Sequence, residues 1–377
     1  AAAGKFLTER LTMYPDYAVD LDRWAHPNLH VRMLEVIDAE GFPRIDEWCP
    51  GDVDTAPPLD VMNAIVNTPR QVSADVATLL DKASAGKALQ EAEIIRLFQS
   101  RGDDFTAVVQ RADTLRASTS GNSVSFVVNR NINYTNICYF KCQFCAFSKG
   151  KLSENLRGRP YDLSDEEIAR RTTEAWERGA TEVCMQGGIH PEYTGETYIN
   201  IVRTVKAAQP NMHVHAFSPL EIWQGAATLE MDVSAYLQQL KDVGLNTLPG
   251  TAAEILDDEV REIICADKIN TQQWLDVMEA AHGVGYKTTA TIMYGHVEKL
   301  EHWARHIMRV RALQEQTGGF TEFVPLPFVH MEAPMYLKGK ARKGPTFPGS
   351  DFDALSSSTC PARTDRQHPD QLGEDGP

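Results

Sequence analysis

The chain has 377 residues, 42% of them hydrophobic, and a formal net charge of -15. That apolar content supports a sizeable core, in one large domain with appendages or in two, while the acidic balance without a long Lys/Arg block argues against a nucleic-acid or anionic-membrane partner. No run approaches the roughly 18 apolar residues of a membrane span, and seven cysteines, three of them crowded into one short run, point to the reducing cytoplasm and metal ligation rather than a disulfide framework.

In chain order, Ala1-Ala2-Ala3 opens without a methionine or a secretory leader pattern, as a processed product or fragment would. Residues 1–70 read as broken helices and loops, and the Pro-, Asp- and Gly-rich stretch 44–58 reads as a linker. Residues 71–118 are predicted as a helical lead-in, with Val76, Leu79 and Leu80 on one face and Ile94, Ile95, Leu97 and Phe98 on another. The rhythm then alternates, with strands predicted over 126–128, 182–185, 213–217, 246–248, 287–293 and 323–326. Between them, Ser164 with Glu167 forms a capping box and Gly179 follows that helix. Ser234 and Thr271 are expected caps of two further helices, and 298–314 is a long amphipathic helix with Leu300, Trp303, Ile307 and Val310 inward.

Six such units imply parallel strands with right-handed crossovers. The expected fold class is α/β, a partial TIM-type (β/α)6 barrel over 119–346. No usable helix follows the sixth strand, so one sheet edge is expected to stay open. Residues 347–377, poor in aliphatics, are expected to be a disordered tail.

The chemistry concentrates in Cys138-Tyr139-Phe140-Lys141-Cys142-Gln143-Phe144-Cys145, a C-x3-C-x2-C run just past the first strand. Three thiolates so placed can hold three corners of a 4Fe-4S cube and leave one iron open. A zinc knuckle usually needs a fourth Cys or His nearby, and His190 is distant in sequence. Cys184 and Cys265, candidates for a fourth cluster ligand, sit in apolar segments and read as buried thiols. His215 on a strand and His190 in a loop at the same barrel end are candidates to hydrogen-bond substrate, since imidazole both donates and accepts. Ser218 and Glu221 are comparable candidates, and His296 and His330 rank behind them.

The spacing, with Phe144 directly before Cys145, resembles the C-x3-C-x-aromatic-C hallmark of the radical S-adenosylmethionine superfamily. The resemblance implies that S-adenosylmethionine chelates the open iron and is cleaved by one electron to a 5′-deoxyadenosyl radical, with the protein supplying placement and exclusion of water. It further implies that Gln186-Gly187-Gly188 faces the methionine amino group, that Glu254 meets the ribose or sulfonium, and that the segment from Thr291 to Gly295 lies along adenine. Beside these stand structural readings: a strand-to-helix turn, a solvated helix-start carboxylate, and core packing.

A narrower set of runs, Asn129-Arg130-Asn131-Ile132-Asn133-Tyr134-Thr135-Asn136, Ala146-Phe147-Ser148, Met185 to Pro191, His215-Ala216-Phe217-Ser218-Pro219 and Leu248 to Glu254, resembles the tyrosine-using 4-hydroxyphenyl transferase half of FO synthase. Residues 6–51 resemble the end of the other half, to which this one is normally fused. The resemblance implies L-tyrosine and 5-amino-6-(D-ribitylamino)uracil as substrates and an electron donor such as ferredoxin or flavodoxin. From Pro348 onward the family pattern stops. Alternatives are an aminofutalosine-synthase-like enzyme of menaquinone biosynthesis, a non-catalytic cluster-binding fragment and a zinc-binding interaction module.

Overall fold

The computed structural model describes residues 21–27, 29, 30, 33, 69, 71–123, 125–145, 160–330 and 333–341. The expected linker, the expected tail, Ala146-Phe147-Ser148 and most of 1–70 lie outside these residues. The chain falls into two units, 1–62 with 151–160 and 63–150 with 161–377. The described residues of the first include a helical turn, Leu21–Trp24.

In the second unit, α1 (Ala74–Ser84), α2 (Glu91–Phe98) and α3 (Asp103–Ser120) lead into β1 (Asn129–Asn133). There follow α4 (Asp165–Glu177), β2 (Glu182–Gln186), α5 (Gly195–Ala208), β3 (His213–Ala216), α6 (Pro219–Thr228), α7 (Val233–Asp242) and β4 (Thr247–Leu248). The run closes with α8 (Asp258–Ile264), α9 (Thr271–Val284), β5 (Lys287–Tyr294), α10 (Leu300–Thr317), β6 (Phe320–Pro327) and α11 (Pro334–Leu337). The six strands are parallel and pair in chain order, so the sheet is a partial barrel with β1 and β6 at its edges. The fold expected from the sequence is therefore the fold found.

Strand alternation sorts the side chains. Val183, Met185, Val214, Ala216 and Leu248 pack outward into a core with Tyr198, Tyr236 and Val277 of the covering helices. Their neighbours Glu182, Cys184, His213, His215 and Thr247 turn to the barrel lumen. A second core joins Ala290, Ile292 and Tyr294 of β5 to Trp303 and Ile307 of α10 and to the lead-in helices, where the Phe98 and Trp303 rings meet edge to face at 5.1 Å.

Several boundaries differ from expectation for physical reasons. β1 begins at Asn129 because its partner β2 begins at Glu182, opposite it in register; Phe126 stays outside the strand and 78% exposed. β6 starts at Phe320, because an irregularity at Thr288/Thr289 in β5 lets Phe320 pair with Thr288. Asp232, not Ser234, caps α7, its carboxylate accepting from the amides of Ser234 and Ala235. Asn270, not Thr271, caps α9 with Gln273 in a reciprocal box. Ser164 does cap α4, accepting from the Glu167 amide.

Candidate active site

The cysteine run leaves β1 through a set of fixed turns. Tyr134, fully buried, donates a hydrogen bond from its hydroxyl to the Glu221 carboxylate. The Thr135 carbonyl accepts from Gly188 N at 2.8 Å, and Tyr139 N donates to Ile189 O at 3.1 Å, so the run is stitched to the end of β2. Further along, Lys141 N donates to Asp267 Oδ2 at 2.8 Å and Gln143 N to Ile264 O at 2.8 Å. Gln143 O in turn accepts from Met335 N at 2.8 Å, and its side-chain oxygen accepts from Lys338 Nζ at 3.0 Å. Three distant segments thus hold one eight-residue run.

Cys142 is buried and Cys138 and Cys145 are half-buried. Burial pushes the Cys138 and Cys142 thiols up, and the Lys268 ammonium pulls both the other way. A thiolate here therefore needs a bound cation, as metal ligation supplies. The donor set, three soft sulfurs on a rigidly anchored loop, fits an iron–sulfur group. Among the described residues, the trio whose ligand atoms all lie within 4.8 Å of one another is Asp257, Glu259 and His302; the sulfurs of Cys138, Cys142 and Cys145 are not drawn together that closely. Asp257 there already faces Arg305 at 3.5 Å and Arg309 at 3.3 Å, and it caps α8.

Glu254 is not a solvated helix-start carboxylate. It is buried, in a left-handed conformation (φ 46°), and ion-paired with Lys268 at 2.9 Å. Arg261, also buried, fixes this loop by donating to the carbonyls of Ala253 at 2.6 Å, Ala252 at 3.3 Å and Ile269 at 2.6 Å. Such a non-glycine φ persists only where surrounding bonds over-determine it. Lys268 Nζ also lies 5.1 Å from the centre of the Phe144 ring, a cation–π contact. Phe144, Lys268, Glu254 and Cys142 therefore form one cluster.

Gly187 and Gly188 are glycine for close approach, but to the protein itself. A Cβ on Gly187 would lie 2.3 Å from the Tyr134 ring, and one on Gly188 would lie 2.3 Å from Ile137 O and 2.9 Å from Cys138 Cβ. Gln186 ends β2, opposite Asn133. Thr291 donates to Gly250 O at 2.7 Å and so ties β5 to the turn after β4. His215 Nδ1 is 2.7 Å from Thr247 Oγ1, and burial holds its imidazole down at about 4. His190 accepts from Glu192 N at 3.1 Å and lies against Tyr193, ring centres 4.9 Å apart. His296 is fully buried beside Glu298 at 2.9 Å, and His330 lies against Tyr336.

Ser218 and Glu221 prove to be internal partners. Glu221, with Ser218, caps α6 and also accepts from Tyr134 and from Gly187 N at 3.2 Å. Sequence reasoning passed over Lys268, Arg261, His213 and Thr247. No local spacing marks them; only the fold brings Lys268 back over Phe144.

The radical SAM superfamily profile matches residues 132–310. The chain is 41% identical over 385 residues to an FO synthase of Mycobacterium leprae, covering 92% of this chain and 44% of that protein. It is 45% identical over 263 residues to the 5-amino-6-(D-ribitylamino)uracil--L-tyrosine 4-hydroxyphenyl transferase of Methanocaldococcus jannaschii, covering 69% of this chain and 72% of that one. The chain thus spans less than half the length of that FO synthase. In fold it is similar to HydG, a maturase of the [FeFe]-hydrogenase (TM-score 0.58, 16% identity, 82% of this chain and 65% of that one).

Proposed function

Because the chain belongs to the radical SAM superfamily and, within it, to the family of FO synthases and 4-hydroxyphenyl transferases, we propose that it joins the 4-hydroxybenzyl group of L-tyrosine to 5-amino-6-(D-ribitylamino)uracil. The observation that carries this reading is the 45% identity across 72% of a transferase of that description, in a chain whose cysteine run is anchored for ligation. Cys138, Cys142 and Cys145 would hold a 4Fe-4S cluster. Such a cluster, when bound with S-adenosylmethionine, supplies the one-electron cleavage that starts hydrogen abstraction from tyrosine.

The chain's own residues position and shield. Glu254, paired with Lys268 beside the cysteine run, would meet the ribose or sulfonium of S-adenosylmethionine. Gln186, Gly187 and Gly188 bring the β2 end against Cys138 and limit the room there, and Phe144 closes the run on its Lys268 side. Thr291 holds the β4–β5 ends at fixed spacing, and this segment would lie along adenine. His215 and His190 offer hydrogen bonds to substrate oxygens. The half of FO synthase that this chain does not span would use the product, and ferredoxin or flavodoxin would donate the electron.

The test is an anaerobic assay of the reconstituted protein with dithionite. Release of 5′-deoxyadenosine that depends on tyrosine, with a uracil adduct by mass spectrometry, is the expected result. Turnover of a purine-side acceptor in place of the uracil would assign the chain to the aminofutalosine branch.

A further inference from the structure

Resting on that reading, we propose that Thr247, hydrogen-bonded to both His213 and His215 with Glu182 beside His213, fixes the tautomer of His215, so that its Nε2–H is presented to an acceptor oxygen of the substrate in the barrel lumen. The four residues share the lumen face of three adjacent strands: Glu182 sits opposite His213, and His215 opposite Thr247.

Thr247 Oγ1 lies 2.8 Å from His213 Nε2 and 2.7 Å from His215 Nδ1. A hydroxyl has one proton and two lone pairs, so it can donate to only one of these imidazoles and at least one of them must donate to it. Glu182 decides which. Its carboxylate oxygen is 3.7 Å from the same His213 Nε2, and its side chain is only 8% exposed. Above about pH 7, where Glu182 is ionised despite its burial, its carboxylate favours the proton on that nitrogen. His213 then donates to Thr247, and Thr247 donates to His215 Nδ1. A neutral imidazole that accepts at Nδ1 carries its proton at Nε2.

His215 is the next-to-last residue of β3, so this donor lies toward the strand ends, where barrels of this type bind ligands. A uracil carbonyl and the tyrosine carboxylate both offer the required oxygen. Glu182, His213 and Thr247 are positioning residues that act through His215.

The full chain, labelled with nitrogen-15 at histidine, tests the tautomer by long-range proton–nitrogen NMR, with His215→Gln to assign the signals. The expected result is a protonated Nε2 and a bare Nδ1 at His215, lost to a tautomer mixture in Thr247→Val and kept in Thr247→Ser. In steady-state assays Thr247→Val raises KM for one of the two substrates about tenfold, the worth of one hydrogen bond, and Thr247→Ser restores it. The substrate whose KM moves identifies the oxygen. A protonated Nδ1 in the parent, an unchanged tautomer in Thr247→Val, or a tautomer change with neither KM affected overturns the proposal. Absence of tyrosine-dependent turnover would instead remove the assigned reaction, and the NMR result would still decide the tautomer.

Discussion

At position 188 a single methyl group meets the backbone of Ile137 on one side and the side chain of Cys138 on the other. Gly188→Ala is expected to displace Cys138, to destabilise the fold by about 1–3 kcal/mol as overpacking does, and to lower the iron bound per chain after anaerobic reconstitution. A variant that loads iron like the parent would contradict this. Lys268→Met strands the buried Glu254 carboxylate, at a cost of about 3–5 kcal/mol. Adding Glu254→Gln should recover part of it, so urea melts of the two single variants and the double should not add. The cysteine run, whose role as a ligand set belongs to the proposal, was legible in the sequence because its spacing is local. Lys268 was not, because its role arises from a return of the chain to Phe144 that no local pattern encodes.

The start of α6 does more than begin a helix. Glu221 at its third position reaches back to Ser218, as capping boxes do, and across to Tyr134 and the Gly187 amide. One carboxylate thus joins β1's exit, β2's end and α6. Glu221→Ala leaves several buried donors without acceptors and is expected to cost about 2–4 kcal/mol, read as a shifted denaturation midpoint with an unchanged slope. Element identities were legible because the strands carry buried runs and the helices carry caps and periodicity. Boundaries were not: Ser, Thr, Asp and Asn all qualify as caps, and packing of the first turn chooses among them, as it chose Asp232 over Ser234. β1's start depended on where its neighbour began, which is a property of the pair.

Across the whole molecule, buried imidazoles set an acid limit. His306 accepts from Leu256 N at 2.9 Å and is held at about 3, and His215 at about 4, both by burial. Their ordinary value is 6.5, so the unfolded chain binds more protons below it, and stability falls as pH drops from 6.5 toward 3. Glu182 acts oppositely: burial raises it from 4.5 to about 7, so its contribution is lost as pH rises through that window. Four depressed histidines, His213, His215, His282 and His306, outweigh two raised carboxyls, Glu182 and Glu221, and urea midpoints should decline from pH 6.5 to pH 4; Glu182→Gln should steepen that decline. A flat profile would contradict the burial of these rings. The barrel itself was legible from six repeated units, but the lumen's polar row was not, since it exists only once strands are in register. The anchoring of Gln143 by Met335 and Lys338 has a consequence for biogenesis. The residues that grip the cysteine run are nearly the last of the barrel to leave the ribosome, so iron delivered early to the proposed site would meet an unfinished cradle. Iron loading must wait until Met335 and Lys338 have been made, and a chain arrested before Met335 should retain its cysteines yet hold iron poorly.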